Sequence, residues 1–137
     1  MATYNKFQDF VEQLAKGLHH LHAAGDVLNV YLTNNAPSAA DDAVKTDLAG
    51  ITEEHGYAAA DIQNDISEAA GVATLTGVDV TFTASGGSFG PFRYAVIYND
   101  TNASDALVCW WDYGSSITVL TGETFKVDFG PSILTIE

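Results

Sequence analysis

Residues 86–119 read GGSFGPFRYAVIYNDTNASDALVCWWDYGSSITV. They hold both tryptophans, the single cysteine and the single arginine of this 137-residue chain. Phe92, Tyr94, Val96 and Tyr98 alternate with Ala95 and Ile97, which predicts a strand apolar on both faces. Ala106–Trp111 predicts its partner, again apolar on both sides. The polar segment Asn99–Asp105 reads as the exposed loop between them. Gly86-Gly87 and Gly90-Pro91 break pairing ahead of the first strand. Strands apolar on both faces lie inside a sandwich or beneath a helix, so this hairpin predicts the centre of a β-sandwich. Arg93, alone in apolar surroundings, needs a carboxylate, and Asp112 is the candidate. Asp112-Tyr113-Gly114-Ser115 reads as the next turn.

Downstream, Ser116–Leu120 reads as a short strand and Thr121-Gly122-Glu123 as a turn. Thr124–Phe129 alternates, with Phe125, Val127 and Phe129 inward and Thr124, Lys126 and Asp128 outward. Gly130-Pro131 ends it, and Ile133–Ile136 reads as a terminal strand. Upstream, Ala73–Ala84 predicts a half-buried strand, with Val78, Val80 and Phe82 facing in. Asp61–Ala70 reads as extended, although Ile62 and Ile66 also fit helical spacing. Asp26–Asn34 predicts a strand with Leu28, Val30 and Leu32 on one face. Residues 36–60 read as a long excursion of polar and small residues, with a short helix over Asp41–Ala49 and with Glu53, Glu54 and His55 in a solvated loop.

At the N-terminus, Phe7, Phe10, Val11, Leu14, Leu18 and Leu21 recur at spacings of three and four. They predict one amphipathic helix over residues 4–22, capped by Thr3 and followed by Gly25. The whole predicts a single mainly β domain over residues 1–137. Its fold class is an antiparallel β-sandwich or jelly-roll-like domain, built from residues 27–34 and 61–137 and carrying that helix.

Eighteen acidic residues stand against five basic ones, a net charge of −13. A phosphate backbone needs a basic footprint, so the balance argues against direct nucleic-acid binding. Docking on an anionic membrane is disfavoured for the same reason. The scattered acids suit solubility, or complementarity to a basic partner surface. One cysteine allows no intramolecular disulfide, and LVCWW places Cys109 in an apolar run as a buried thiol. No apolar run is long enough to span a membrane, and MATYNKFQDF lacks the apolar core of a secretory signal.

Catalytic signatures do not stand out. There is no G-x-S-x-G and no GK[ST]. His19 and His22 share a spacing of three beside His20, but no further ligand lies near them in sequence. Histidines at a helix C-terminus also suit its dipole. No cofactor, metal or catalytic residue is therefore expected. Trp110, Trp111 and Tyr113 are the candidate binding aromatics, read either as core or as a sugar- or protein-binding face. Strand alternation lets only one tryptophan share a face with Tyr113.

Four segments carry a resemblance: MATYNKFQDFVEQLAKGLH, VYLTNNAPSA, GGSFGPFRYAVIYNDT and WWDYGSSITVLTGETFKVDFG. In this order they resemble a family of small structural proteins of tailed bacteriophages. The resemblance implies a non-enzymatic capsid decoration (cement) protein. Such a protein is made in the host cytoplasm, binds the outer surface of the major capsid protein shell and stabilises it as a homo-oligomer, dimer or trimer. A neck or tail component and a carbohydrate-binding sandwich module are the alternatives. For a protein of this kind, function lies at surfaces around the central hairpin. Phe7 and Phe10 on the helix, Asn99, Asp100 and Asn102 in the loop, and Tyr113 are the candidate interface residues.

Overall fold

A computed structural model describes residues 2–137. In chain order the elements are β1 (Thr3–Lys6), α1 (Gln8–Ala15), β2 (Leu28–Thr33), β3 (Ala60–Asp61), β4 (Asp65–Ala69), β5 (Val72–Thr76), β6 (Val80–Thr83), β7 (Phe89–Asn99), β8 (Leu107–Val119), β9 (Thr124–Val127) and β10 (Leu134–Ile136). The strands form three antiparallel sheets, ordered β1-β8-β7-β2-β3, β10-β5-β4 and β6-β9. They share one apolar core with α1. The fold is mainly β and sandwich-like, with one short helix near the N-terminus.

The central hairpin is β7–β8, and its two-sided apolar character is what buries it. Phe92, Ala95, Val96, Ile97, Val108 and Cys109 have no exposed surface. Val96 pairs with Trp110 and Tyr94 with Asp112. The predicted turn at Asp112–Ser115 is not a reversal, and Ser116–Leu120 is not a separate strand. β8 runs through to Val119. Its turn chemistry appears as a bulge: β8 advances from Asp112 to Ile117 while β7 moves only from Tyr94 to Phe92. Gly114 takes φ +86° there, and its N–H donates to Asp112 Oδ1 at 2.8 Å. A bulge bends the strand without ending it. Arg93 sits opposite the bulge and meets Asp112 in a fork, Nε to Oδ1 at 2.8 Å and Nη2 to Oδ2 at 3.1 Å. That is the pairing predicted from sequence. The Arg93 hydrogen bonds hold the Asp112 carboxyl below its usual range.

The helix is shorter than predicted at both ends. Residues 3–6 form β1, an edge strand that pairs Tyr4 with Trp111 and Asn5 with Trp110. Phe7, not Thr3, occupies the N-cap, with extended dihedrals and no side-chain cap. The stop is Gly17 rather than Gly25. Gly17 takes φ +82°, its N–H donates to Leu14 O at 3.1 Å, and Leu18 N–H donates to Gln13 O at 2.9 Å. Those two bonds define a Schellman cap, which needs the left-handed conformation glycine adopts freely. Leu21 is buried beyond the helix, whereas Val11 on the helix is 51% exposed.

Two further expectations change. Ala73–Ala84 is two strands, β5 and β6, parted at Gly77. A Cβ at Gly77 would lie 3.0 Å from Ile133 Cδ1 and 3.3 Å from Ile62 Cδ1, so a side chain there would have to displace these core side chains. The 36–60 excursion packs on the sheet at several points, while Glu53, Glu54 and His55 lie in an exposed loop as predicted. Leu48 and Tyr57 are buried, and Val44 bridges to Ala106. Tyr31 Oη donates to Leu48 O at 2.7 Å, and Leu32 N–H donates to Tyr57 Oη at 2.8 Å. A single 3-10 turn, Lys45–Asp47, stands where a helix over Asp41–Ala49 was predicted. β2 is buried on both faces, and this segment supplies cover for Tyr31 and Thr33, whose hydroxyl donates to Ala49 O.

Candidate functional site

The six candidate interface residues divide between core and surface. Phe7, Phe10 and Asn99 are 0%, 2% and 0% exposed, so none presents a side chain to a partner. Phe7 packs against Trp110 with ring centres 4.6 Å apart and the planes tilted by 50°, and Phe10 lies 5.0 Å from the His19 ring. Asp100 is exposed and Asn102 half-buried in the loop between β7 and β8. Tyr113 lies farther along β8, on the order of 20 Å from that loop at the usual strand rise, and the fold does not bring them together.

Asn99 is instead the hub of a buried polar node. Its Oδ1 accepts the N–H groups of Thr101 at 3.1 Å and Asn102 at 3.2 Å. That fixes the amide, so Nδ2 donates to His19 Nδ1 at 3.0 Å and Asp26 Oδ2 at 2.8 Å. His19 Nδ1 is thereby an acceptor, and the ring proton belongs on Nε2. Nε2 is buried with no partner among the described residues. Burial lowers the His19 pKa, with His20 adding to it against the opposing charges of Asp26 and Asp9. For Asp26, burial pushes the pKa up, but the Asn99 amide and the His20 N–H outweigh it, and the net shift is downward.

This arrangement fixes a pH dependence. His19 is neutral in the fold, and its unfolded-state pKa is about 6.5. On acidification the unfolded chain takes the proton first, so stability falls as pH drops below about 6.5 and levels off below the folded-state value. Urea midpoints measured from pH 7.5 to 5 are expected to fall with pH in the parent and to fall less in His19→Gln. Equal slopes would remove His19 as the cause.

The other chemically suggestive groups have structural duties. His20 Nδ1 lies 3.6 Å from Asp26 Oδ2. His55 Nδ1 is 2.8 Å from Ser88 O, and Glu53 Oε2 accepts the Ala59 N–H at 2.6 Å. The first bond ties this loop to the segment ahead of β7, and the second closes the loop on itself. Cys109 is fully buried, and burial pushes its thiol up, so it is protonated at neutral pH. No group of three His, Cys, Asp or Glu side chains able to hold a metal occurs among the described residues. No described helix is long and apolar enough to cross a membrane.

The surface feature with the most recognition chemistry is a groove of about 390 Å³ where β8 meets the end of β9. Trp110 points into the core at 7% exposure. Trp111, on the opposite face, lines the groove with Tyr113, Lys126, Asp128 and Phe129. Tyr4 and Phe129 hold the Trp111 ring at centroid distances of 5.8 and 5.5 Å. Phe125 packs edge-on against Tyr113 at 5.2 Å. Asp79 braces the wall: its Oδ2 pairs with Lys126 Nζ at 3.2 Å, and its Oδ1 accepts the Phe129 N–H at 2.9 Å. Those bonds, the Phe129 N–H foremost, hold the Asp79 carboxyl below its usual range. Asp128 Oδ1 accepts the Gly130 N–H at 2.8 Å. The sequence marked Trp111 and Tyr113 as candidates and placed Lys126 and Asp128 outward on their strand. It did not join the two pairs, because β9 belongs to a separate sheet. Comparisons with protein-family models, curated proteins and solved structures give no match to this chain.

Proposed function

We propose that the chain is a non-enzymatic structural protein of a tailed-phage virion. Its role in this reading is capsid decoration: it binds the outer surface of the major capsid shell as a dimer or trimer and stabilises it. The observation that carries the reading is the run of four resembling segments. They correspond to β1 with α1, β2, β7, and β8 with β9, so the resemblance lies in the framework of the fold. The charge distribution supports a basic partner surface. Lys16 pairs with Glu12 at 2.9 Å, Arg93 with Asp112 and Lys126 with Asp79. Lys45 sits over the Tyr31 and Tyr98 rings at 5.2 and 4.6 Å. The chain's cations are thus largely engaged internally, and most of its acids stay available to attract a cationic surface.

Purified protein mixed with undecorated heads tests this. Electron cryomicroscopy is expected to show density at symmetric sites on the shell, with occupancy that falls as salt is raised. A bare shell would sink the decoration reading. Density confined to the head–tail junction or the tail would replace it with a neck or tail role.

A further inference from the structure

We propose that the Trp111 groove is an arginine socket: one guanidinium from a basic segment of the partner protein stacks on Trp111 and pairs with Asp128. The identity of the partner rests on the reading above; the chemistry of the socket does not. The groove holds one cation and one carboxylate beside its aromatic floor. The cation, Lys126, is already engaged by Asp79 at 3.2 Å. Asp128 has no cationic partner among the described residues; its recorded bond is to the Gly130 N–H. Asp128 also lies close enough to Tyr113 to reinforce the effect of burial, which pushes that phenol up to about 12. The groove therefore carries one uncompensated negative charge against aromatic faces, in a chain of net charge −13.

A cation suits such a site, and arginine suits it better than lysine. The guanidinium is planar and weakly hydrated, so it stacks on an indole while its edge forks onto a carboxylate. A strongly hydrated ammonium gives up more solvation for a single point contact. The socket is also pre-formed. Tyr4 and Phe129 pack against the Trp111 ring at interplanar angles of 62° and 51°, and the Asp79 bonds to Lys126 and Phe129 fix the opposite wall. Little ordering is left for the moment of binding. Because β8 and β9 lie in different sheets, the two halves of the socket meet only in the folded chain.

Capped tripeptides Gly-Arg-Gly, Gly-Lys-Gly and Gly-citrulline-Gly, titrated against the full chain, test the socket. Citrulline keeps the planar shape and removes the charge. The arginine peptide is expected to shift the Trp111 indole N–H resonance and leave that of Trp110 in place. The citrulline peptide is expected to bind about tenfold more weakly. Asp128→Asn keeps an acceptor for Gly130 N–H and so is expected to keep the parental melting temperature while losing about five- to tenfold in arginine affinity. Equal binding of citrulline and arginine, or full affinity in D128N, would overturn the socket. So would a Trp111 shift produced by maltotriose and not by arginine, which would make this a glycan site. Heads separate the two readings. Arginine binding with bare heads keeps the socket and removes decoration; decorated heads with no arginine response keep decoration and remove the socket.

Discussion

Replacing Phe7 with alanine is expected to destabilise the fold by about 3–5 kcal/mol, lowering the melting temperature by roughly 10–20 °C for a chain of this size. Phe7 has no exposed surface. It stands at the junction of β1 and α1, where its N–H donates to Val108 O at 3.2 Å and its ring packs 4.6 Å from Trp110. The backbone on either side is held by sheet pairing and by the first turn of the helix, so the site cannot collapse to fill the gap. The remaining cavity adds to the lost transfer free energy. Val11, half-exposed on the same helix, gives the comparison: Val11→Ala is expected to change stability by no more than about 0.5 kcal/mol. Thermal and urea denaturation of both variants measure the difference. A Phe7→Ala protein of parental stability that no longer bound a partner would return Phe7 to the interface and contradict its place in the core.

The same residue shows where the sequence was legible. Alternation at Phe92–Tyr98 and Thr124–Phe129 sufficed for most of β7 and for β9, because a two-residue period is local information; Gly90-Pro91, read as a break before the strand, instead lies inside β7, which starts at Phe89 and pairs it with Val119. The Arg93–Asp112 fork was legible for a different reason: a lone guanidinium among apolar residues has few ways to be satisfied. The helix was overextended because Leu18 and Leu21 continue its spacing past Gly17. The chain follows the glycine cap, and Leu21 meets the core from irregular chain beyond the helix while Leu18 stays half-buried. β1 was missed because Tyr4 and Asn5 are strand residues only by virtue of the free edge of β8, which is far away in sequence. The bulge at Gly114 has turn chemistry, and only its pairing with β7 shows that the strand continues. The cover supplied by residues 36–60 depends on β2 being buried on both faces, a tertiary fact. The groove is a similar case: its two pairs of residues were each visible, and their meeting was not.

Asn99→Ala is expected to cost about 3 kcal/mol, the other large effect, although Asn99 sits beside an exposed loop. Its amide satisfies the N–H groups of Thr101 and Asn102 with one end, and His19 Nδ1 and Asp26 Oδ2 with the other. Truncation leaves these groups without their partner, and a buried polar group stripped of its hydrogen bond costs about 1–3 kcal/mol. Water reaching the loop side recovers part of that for Thr101, which is exposed; the His19 side is buried and recovers less. Asp100→Ala, one residue on, removes an exposed side chain whose recorded contact is a 3.4 Å bond from Tyr98 Oη, and is expected to change stability by less than about 0.5 kcal/mol. The pH profile supplies a second readout. With the amide gone, a proton on His19 Nδ1 no longer faces an N–H donor and still has Asp26 nearby, so the loss of stability between pH 7.5 and 5 is expected to be smaller in Asn99→Ala than in the parent. A large stability loss with an unchanged pH slope would mean that Asn99 acts through the loop alone. A reduced slope ties the loop, His19 and Asp26 into one unit, in which the orientation of a single amide sets the protonation of a histidine eighty residues away.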